Sequence, residues 1–150
     1  MKILIDADGC PVVDLTIKIA NNYQIECIVI CDTSHIFNVD AKVITVDKGA
    51  DSVDFKLANM INSGDIAVTQ DYGLAAMCLA KSAYAINQNG LEYNDNNIAM
   101  LLESRALAKK IRRSGGRLKG PKKRSSSNNE AFEKSLTNLI VKAKQKEDSI

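Results

Sequence analysis

Short apolar runs alternate with longer amphipathic segments along most of this chain. The runs are too short for helices and are bounded by turn-forming residues, which is typical of buried strands. They predict five strands, over residues 2–5, 25–31, 43–46, 66–69 and 83–86. The segments between and after them predict helices over residues 12–22, 50–61, 72–80, 98–111 and 130–146, and Pro11 suits the first turn of the first helix.

Strands that alternate with helices predict an α/β fold, a three-layer sandwich whose five-stranded sheet is mostly parallel and covered on both faces. The chain has 150 residues, enough for one compact domain and too few for two. We expect one domain over 1–150, with a basic Gly/Ser-rich segment at 105–129 and a C-terminal helix at 130–146. Right-handed crossovers would bring the carboxyl ends of the strands to one edge of the sheet.

Aspartates follow the predicted strands at that edge, where ligands collect in open α/β sheets. Asp6 and Asp8 follow the first strand and would point to the same side of it, and Asp71 follows the fourth strand. The remaining aspartates of this kind follow the second and third strands or share one face of the next helix: Asp32, Asp47, Asp51 and Asp54. Helix capping would explain any one of them, Asp71 in particular.

Capping does not explain the whole set, because two ionised carboxylates about 5 Å apart repel by roughly 3 kcal/mol at an effective dielectric constant of about 20. A divalent cation would remove this cost, and oxygen ligands without histidine favour Mg²⁺ or Mn²⁺ over zinc. We therefore predict a Mg²⁺ or Mn²⁺ site formed by Asp6, Asp8, Asp54 and Asp71. His35 is the single histidine; it follows the second strand at the same edge and is a further candidate.

The charge is divided unevenly along the chain, with a net charge of −7 over residues 1–100 and +9 over residues 101–150. A solvated helix and linker would account for such a basic stretch, but its mixture with glycine favours binding to phosphates, and RNA or another nucleic acid is the expected partner. The candidate nucleic-acid ligands are Arg105, Lys109, Arg112, Arg113, Arg117, Lys119, Lys122, Lys123 and Arg124. Acids and basic tail together predict a metal-dependent enzyme that acts on a phosphorylated polymer.

The cellular setting is predicted from what the sequence does not contain. No apolar run approaches the roughly 20 residues of a membrane helix, so we expect no membrane association. The first residues show no charged-then-apolar leader, and the four scattered cysteines are typical of a reduced, cytoplasmic protein. The sequence leaves the oligomeric state open, with a homodimer among the options.

The chain resembles the YaiI/YqxD family of uncharacterised bacterial proteins over nearly its whole length. The residues that carry the resemblance are Asp6-Ala7-Asp8-Gly9-Cys10-Pro11, Gly49 with Asp51 and Asp54, Gly64-Asp65, Val68-Thr69-Gln70-Asp71, Leu74-Ala75, Asn87, Gly90, Tyr93, Arg105, Gly115 or Gly116, Gly120-Pro121 and Phe132. The core of that family looks like a PIN-type nuclease, with acids after strand one, on a central helix, and after strand four in a Thr-x-Asp segment. By this likeness Asp6 and Asp71 would be the primary metal ligands, Asp8 with Asp51 or Asp54 would complete the set, and Thr69 would belong to the site.

Two other functions fit parts of the sequence. Ile5-Asp6-Ala7-Asp8-Gly9 also fits the opening of haloacid dehalogenase-type phosphatases, in which the first aspartate is the nucleophile and the second a general acid. That chemistry also needs a lysine, for which Lys48 and Lys81 are the candidates. The third alternative is a non-catalytic RNA-binding module in which the acids are not used.

Overall fold

The computed structural model describes residues 1–49, 52–116 and 123–149, which form a six-stranded sheet and five helices. The strands are β1 (Lys2–Asp6), β2 (Glu26–Asp32), β3 (Lys42–Val46), β4 (Ile66–Val68), β5 (Tyr84–Ile86) and β6 (Glu92–Tyr93). The helices are α1 (Val13–Asn22), α2 (Ser52–Met60), α3 (Tyr72–Ala80), α4 (Asp95–Arg113) and α5 (Ser126–Asp148). Within the described ranges, no helix is both long and apolar enough to span a membrane.

The sheet has the order β3-β2-β1-β4-β5-β6, in which β1 to β5 are parallel and β6 is antiparallel to β5. This confirms the predicted α/β fold and adds a sixth strand that the sequence did not indicate. The strand is only two residues long, so it leaves no detectable pattern. A turn leads into it, in which the Asn87 side chain accepts hydrogen bonds from the amides of Asn89 and Leu91. Gly90 adopts a φ of 89° there, and a Cβ at this position would lie 2.6 Å from the Ala131 carbonyl oxygen of α5.

Two hydrophobic cores cover the two faces of the sheet, as a three-layer sandwich requires. Alternate β1 residues point to opposite faces, with Ile3 and Ile5 in one core and Leu4 in the other. Helices α1 and α5 cover the first face, where Phe132 is fully buried. Helices α2 and α3 cover the second face, and α4 packs outside α3 through partly buried residues, with none of its own side chains fully buried.

The structure starts both C-terminal helices earlier than predicted. Helix α4 begins at Asp95 rather than 98, and α5 begins at Ser126 rather than 130, so most described residues of the segment 105–129 are helical. Both starts are capping boxes in which asparagine takes the place of the usual glutamate or glutamine: Asn94 with Asn97, and Ser125 with Asn128. Apolar spacing locates the buried face of a helix but not these polar first turns. Helix α1 instead begins one residue later than predicted, at Val13, so Pro11 precedes its N-cap residue Val12 and does not lie in the first turn.

Strand β1 lies at the point where the order of the sheet reverses. The chain continues from β1 to β2 and β3 on one side, and returns to β4 and β5 on the other side. Crossovers that leave in opposite directions open a crevice beyond the carboxyl ends of the two strands, which is the usual ligand site of such sheets. Here the crevice lies between the ends of β1 and β4.

Candidate active site

An open cleft of about 500 Å³ lies in this crevice. It is lined by Asp6, Asp8, Gly9, Gln70, Asp71, Tyr72 and Arg105. The structure therefore brings together three of the four aspartates of the predicted site: Asp6 and Asp8 from the end of β1, and Asp71 from the end of β4. Gln70 was not predicted; its side chain donates to the Gly9 carbonyl oxygen at 3.1 Å and ties the two sides of the cleft together.

Asp6 is the most perturbed carboxyl group of the cleft. Burial raises its pKa from 3.8 to about 6, and the negative charges of Asp71 and Asp8 add to that rise. A hydrogen bond from the Thr69 hydroxyl, at 2.8 Å to Asp6 Oδ2, opposes it. The ionised side chain is therefore held at an energetic cost, which a nearby cation would remove.

Thr69 connects the two acidic strand ends. Its hydroxyl donates to Asp6 and accepts a hydrogen bond from the Asp71 amide at 3.0 Å. Its carbonyl oxygen accepts a hydrogen bond from the buried Tyr93 hydroxyl at 3.2 Å, so a residue of β6 helps to fix the position of Thr69. The side chain is itself buried. Thr69 therefore contacts Asp6 directly and orients its side chain, while its predicted functional role stays a prediction.

Asp71 caps helix α3. Its backbone is extended, and Oδ1 accepts from the Leu74 amide at 3.1 Å. Arg105 Nη1 lies 3.5 Å from the same oxygen, which places a cation of α4 beside the cleft. Gly73 leaves room for this pair, because a Cβ there would lie 3.2 Å from Asp71 Oδ1 and 3.6 Å from Arg105 Nη1. Asp71 can thus cap the helix and line the cleft at the same time, because its side chain stays 30% exposed.

Asp8 has partners of its own on the β2 side of the cleft. It accepts from the Asp32 amide, and its Oδ1 lies 2.8 Å from His35 Nδ1. Asp32 bonds to the amide and hydroxyl of Ser34, which lowers its pKa. One ligand atom each of Asp8, Asp32 and His35 lie within 4.8 Å of one another, a spacing that could hold a metal ion. The turn at Asp32 thus folds His35, a further candidate from the sequence, back against Asp8.

Of the other aspartates that the sequence grouped at this edge, Asp54 and Asp47 are not among the residues that line the acidic cleft. Asp54, on α2, lines an adjoining cleft that shares Asp71 and Arg105 with the first. Asp47 follows β3, at the edge of the sheet and two strands away from β1. Asp51 lies outside the described residues.

Three of the predicted nucleic-acid ligands form a stripe on α4. Arg105, Lys109 and Arg112 are exposed and spaced by four and three residues, so they share one face of the helix. The stripe starts at the cleft and extends from it over about 10 Å, at 1.5 Å per residue. Arg113 and Lys123 are also exposed, whereas Arg117, Lys119 and Lys122 lie outside the described residues.

Arg124 is partly buried, and hydrogen bonds hold its guanidinium against neighbouring residues. Its guanidinium donates to the Gln88 carbonyl oxygen and to Asn89 Oδ1, each at 2.8 Å, and to Asn129 Oδ1. It thereby joins the start of α5 to the turn after β5. Its predicted contact with nucleic acid stays a prediction, beside a structural role that the charge pattern did not reveal.

The sheet order and the cleft define a class of protein, an α/β protein with a carboxylate site at the switch point of a mostly parallel sheet. Within that class the chain belongs to the family described as "Uncharacterized BCR, YaiI/YqxD family", whose model matches residues 4–142. It is 51% identical to a UPF0178 protein of Exiguobacterium sibiricum, over 94% of this chain and 97% of the relative. It is 58% identical to a UPF0178 protein of Ruminiclostridium cellulolyticum, over 93% of this chain and 92% of the relative. No solved structure gives a significant match. The resemblance to this family that the sequence motifs indicated is confirmed.

Proposed function

We propose that the protein is a divalent-metal-dependent nuclease that cleaves RNA, with Asp6, Asp8 and Asp71 as the metal-binding residues. The observation that carries this proposal is the partly buried Asp6 carboxylate, which lines an open cleft at the switch point together with two more carboxylates. Three carboxylates form a hard-oxygen donor set, which fits Mg²⁺ or Mn²⁺. When bound, such a cation activates a water molecule and stabilises the leaving oxygen in phosphodiester cleavage.

The chain's own residues supply the positioning that this chemistry needs. Thr69 fixes the orientation of Asp6 through its hydroxyl, and its bond to the Asp71 amide sets the distance between the two acids. His35 and the Asp32 amide hold Asp8 on the other side. Asp6 and Asp8 after β1, with Thr69-Gln70-Asp71 after β4, resemble the arrangement of PIN-type nucleases and support the same function.

The basic stripe on α4 favours a polymeric substrate. Arg105 is 56% exposed beside Asp71, where it can meet a phosphate at the edge of the cleft. Lys109 and Arg112 continue from it along the helix and would follow the next phosphates of the backbone. A single-stranded RNA crossing the cleft would contact all three.

The phosphatase alternative has less support. Lys81, one of its two candidate lysines, caps the C-terminal end of α3, and its Nζ donates to the Ala58 carbonyl oxygen at 2.7 Å. Asp71 caps the opposite end of this nine-residue helix. At 1.5 Å per residue the two ends are about 13 Å apart, too far for a lysine that must contact the reacting phosphate.

A paired assay tests the proposed function. Mn²⁺-dependent turnover of labelled single-stranded RNA and of a generic phosphomonoester is measured for the wild-type protein, Asp6→Asn, and the control Asp40→Asn in the exposed β2–β3 loop. We expect RNA cleavage by the wild type and the control, and none by Asp6→Asn. Turnover of the phosphomonoester alone would assign the phosphatase reaction. Metal binding without turnover of either substrate would leave the RNA-binding module.

A further inference from the structure

A second cleft of about 330 Å³ adjoins the acidic cleft on the side of α2. Asp71 and Arg105 line both clefts and form the boundary between them. The other lining residues are Asp54, Phe55, Gly73, Leu74 and Met77. A substrate that places a phosphate beside Arg105 would therefore extend a neighbouring group into this second cleft.

The second cleft offers an aromatic ring to that neighbouring group. Phe55 is 60% exposed, although α2 buries its apolar face through Val53 and Leu57. Met77, 38% exposed on α3, lines the same space, and its thioether suits contact with an aromatic ring. Exposed apolar residues are common when they occur singly. Here two of them share a cleft with the arginine that borders the acids.

We propose that this second cleft binds a nucleobase of single-stranded RNA, the one attached to the nucleotide next to the cleaved phosphate; this rests on the proposed function. The base stacks on Phe55 and contacts Met77, while Arg105 pairs with the phosphate between the two clefts. Gly73 keeps the boundary open, since a Cβ there would lie only 3.2 Å from Asp71 Oδ1 and would contact Arg105. A duplex keeps its bases stacked inside the helix, so only an unpaired base can enter.

A second copy of the chain fits this cleft less well. A stable interface needs roughly 800 Å² per partner with an apolar centre, whereas this cleft presents two exposed apolar side chains among three charged ones. The other exposed apolar residues nearby, Met100 and Leu107 on α4, are seven residues apart and share a face. That face lies about 150° around the helix from Arg105, at 100° per residue, so it does not extend the cleft.

Binding of abasic oligonucleotides tests the proposal without relying on turnover. Fluorescence anisotropy in EDTA measures the affinity for a short single-stranded RNA, intact or with one base removed at successive positions. We expect removal at one position to weaken wild-type binding about tenfold, the magnitude of one base–aromatic stack. Phe55→Ala should weaken binding of the intact strand to a similar degree. Removal of the base at that position of the RNA should then cause no further loss of affinity in this variant. Phe55→Trp should restore the dependence, and Met100→Ala, a control on the far face of α4, should match the wild type.

Several outcomes would overturn the proposal. These are equal affinity for all the abasic strands, an abasic dependence that Phe55→Ala leaves unchanged, and no binding of RNA at any salt concentration. A dimer in sedimentation velocity that Phe55→Ala converts to a monomer would assign the cleft to a second copy instead. RNA cleavage without base dependence would overturn this inference and keep the nuclease. Base-dependent binding without Mn²⁺-dependent cleavage would overturn the nuclease and keep the base site.

Discussion

Replacement of Asp6 by asparagine should stabilise the metal-free protein. In the folded state burial and the charges of Asp71 and Asp8 raise the Asp6 pKa from 3.8 to about 6. A carboxyl group whose pKa is raised on folding binds its proton more tightly in the folded state, so its ionisation favours unfolding. Asparagine keeps the shape and the oxygen that accepts from Thr69 but carries no charge. The substitution therefore removes the cost and retains the contact.

The magnitude follows from the pKa. A rise from 3.8 to about 6, at 1.36 kcal/mol per pKa unit, corresponds to at most about 3 kcal/mol. The sign sets the pH window: the cost is absent below 3.8, grows as the pH rises, and is fully present above about 6. The stability difference between Asp6→Asn and the wild type should therefore grow between pH 4 and pH 6 and stay level above that range.

Urea unfolding in EDTA, followed by far-UV circular dichroism from pH 4 to pH 8, measures this difference as a shift of the midpoint at constant slope. Asp40→Asn, an exposed carboxylate in the β2–β3 loop, is the control and should show no such dependence. Equal stability of the wild type and Asp6→Asn at pH 8, or a difference independent of pH, would refute the reasoning. It would mean that burial and the neighbouring carboxylates do not make the ionisation of Asp6 costly in the folded protein.

Two further predictions follow from contacts at and beyond the cleft. Gly73→Ala should raise helix stability by roughly 0.5–1 kcal/mol, yet weaken Mn²⁺ binding because the added Cβ would press on Asp71 Oδ1. Thermal melts measure the stability and calorimetry measures the Mn²⁺ affinity. An unchanged Mn²⁺ affinity would contradict the second effect. Arg112→Gln should reduce the slope of log affinity for single-stranded RNA against log salt concentration by about 0.7, without loss of stability. Arg124→Gln should instead lower the free energy of unfolding by about 1–2 kcal/mol, because it leaves the Gln88 carbonyl oxygen and two asparagine side chains without their donor. A loss of stability in Arg112→Gln, or a reduced salt slope without loss of stability in Arg124→Gln, would contradict the roles given to these arginines.

The parts of the fold that the sequence predicted are those with strong local patterns. Short apolar runs located β1 to β5, and the parallel arrangement that follows from alternating helices placed Asp6, Asp8 and Asp71 at one edge. The position of an acid directly after a strand is enough to predict this grouping, because parallel strands end together. Asp54, placed by helix spacing alone, lies instead in the adjoining cleft.

The features that the sequence did not predict depend on loop geometry or lack a repeating pattern. His35 was a candidate because it follows the second strand, but its contact with Asp8 depends on the turn at Asp32 and Ser34, which no sequence pattern in this polar loop indicates. Phe55 lies off the apolar face of α2, where spacing predicts nothing. The run of basic residues likewise does not reveal that Arg112 is exposed whereas Arg124 donates its hydrogen bonds to neighbouring side chains and a carbonyl oxygen.

The central claim is that Asp6, Asp8 and Asp71 together bind a divalent cation. A crystal of the protein soaked in Mn²⁺ tests it most directly, through anomalous difference density measured with wild-type protein and with Asp71→Asn. We predict one strong peak between the three carboxylates in the wild type and its loss in Asp71→Asn. A wild-type crystal with no peak there at saturating Mn²⁺, or with Mn²⁺ bound only between Asp8, Asp32 and His35, would contradict the claim.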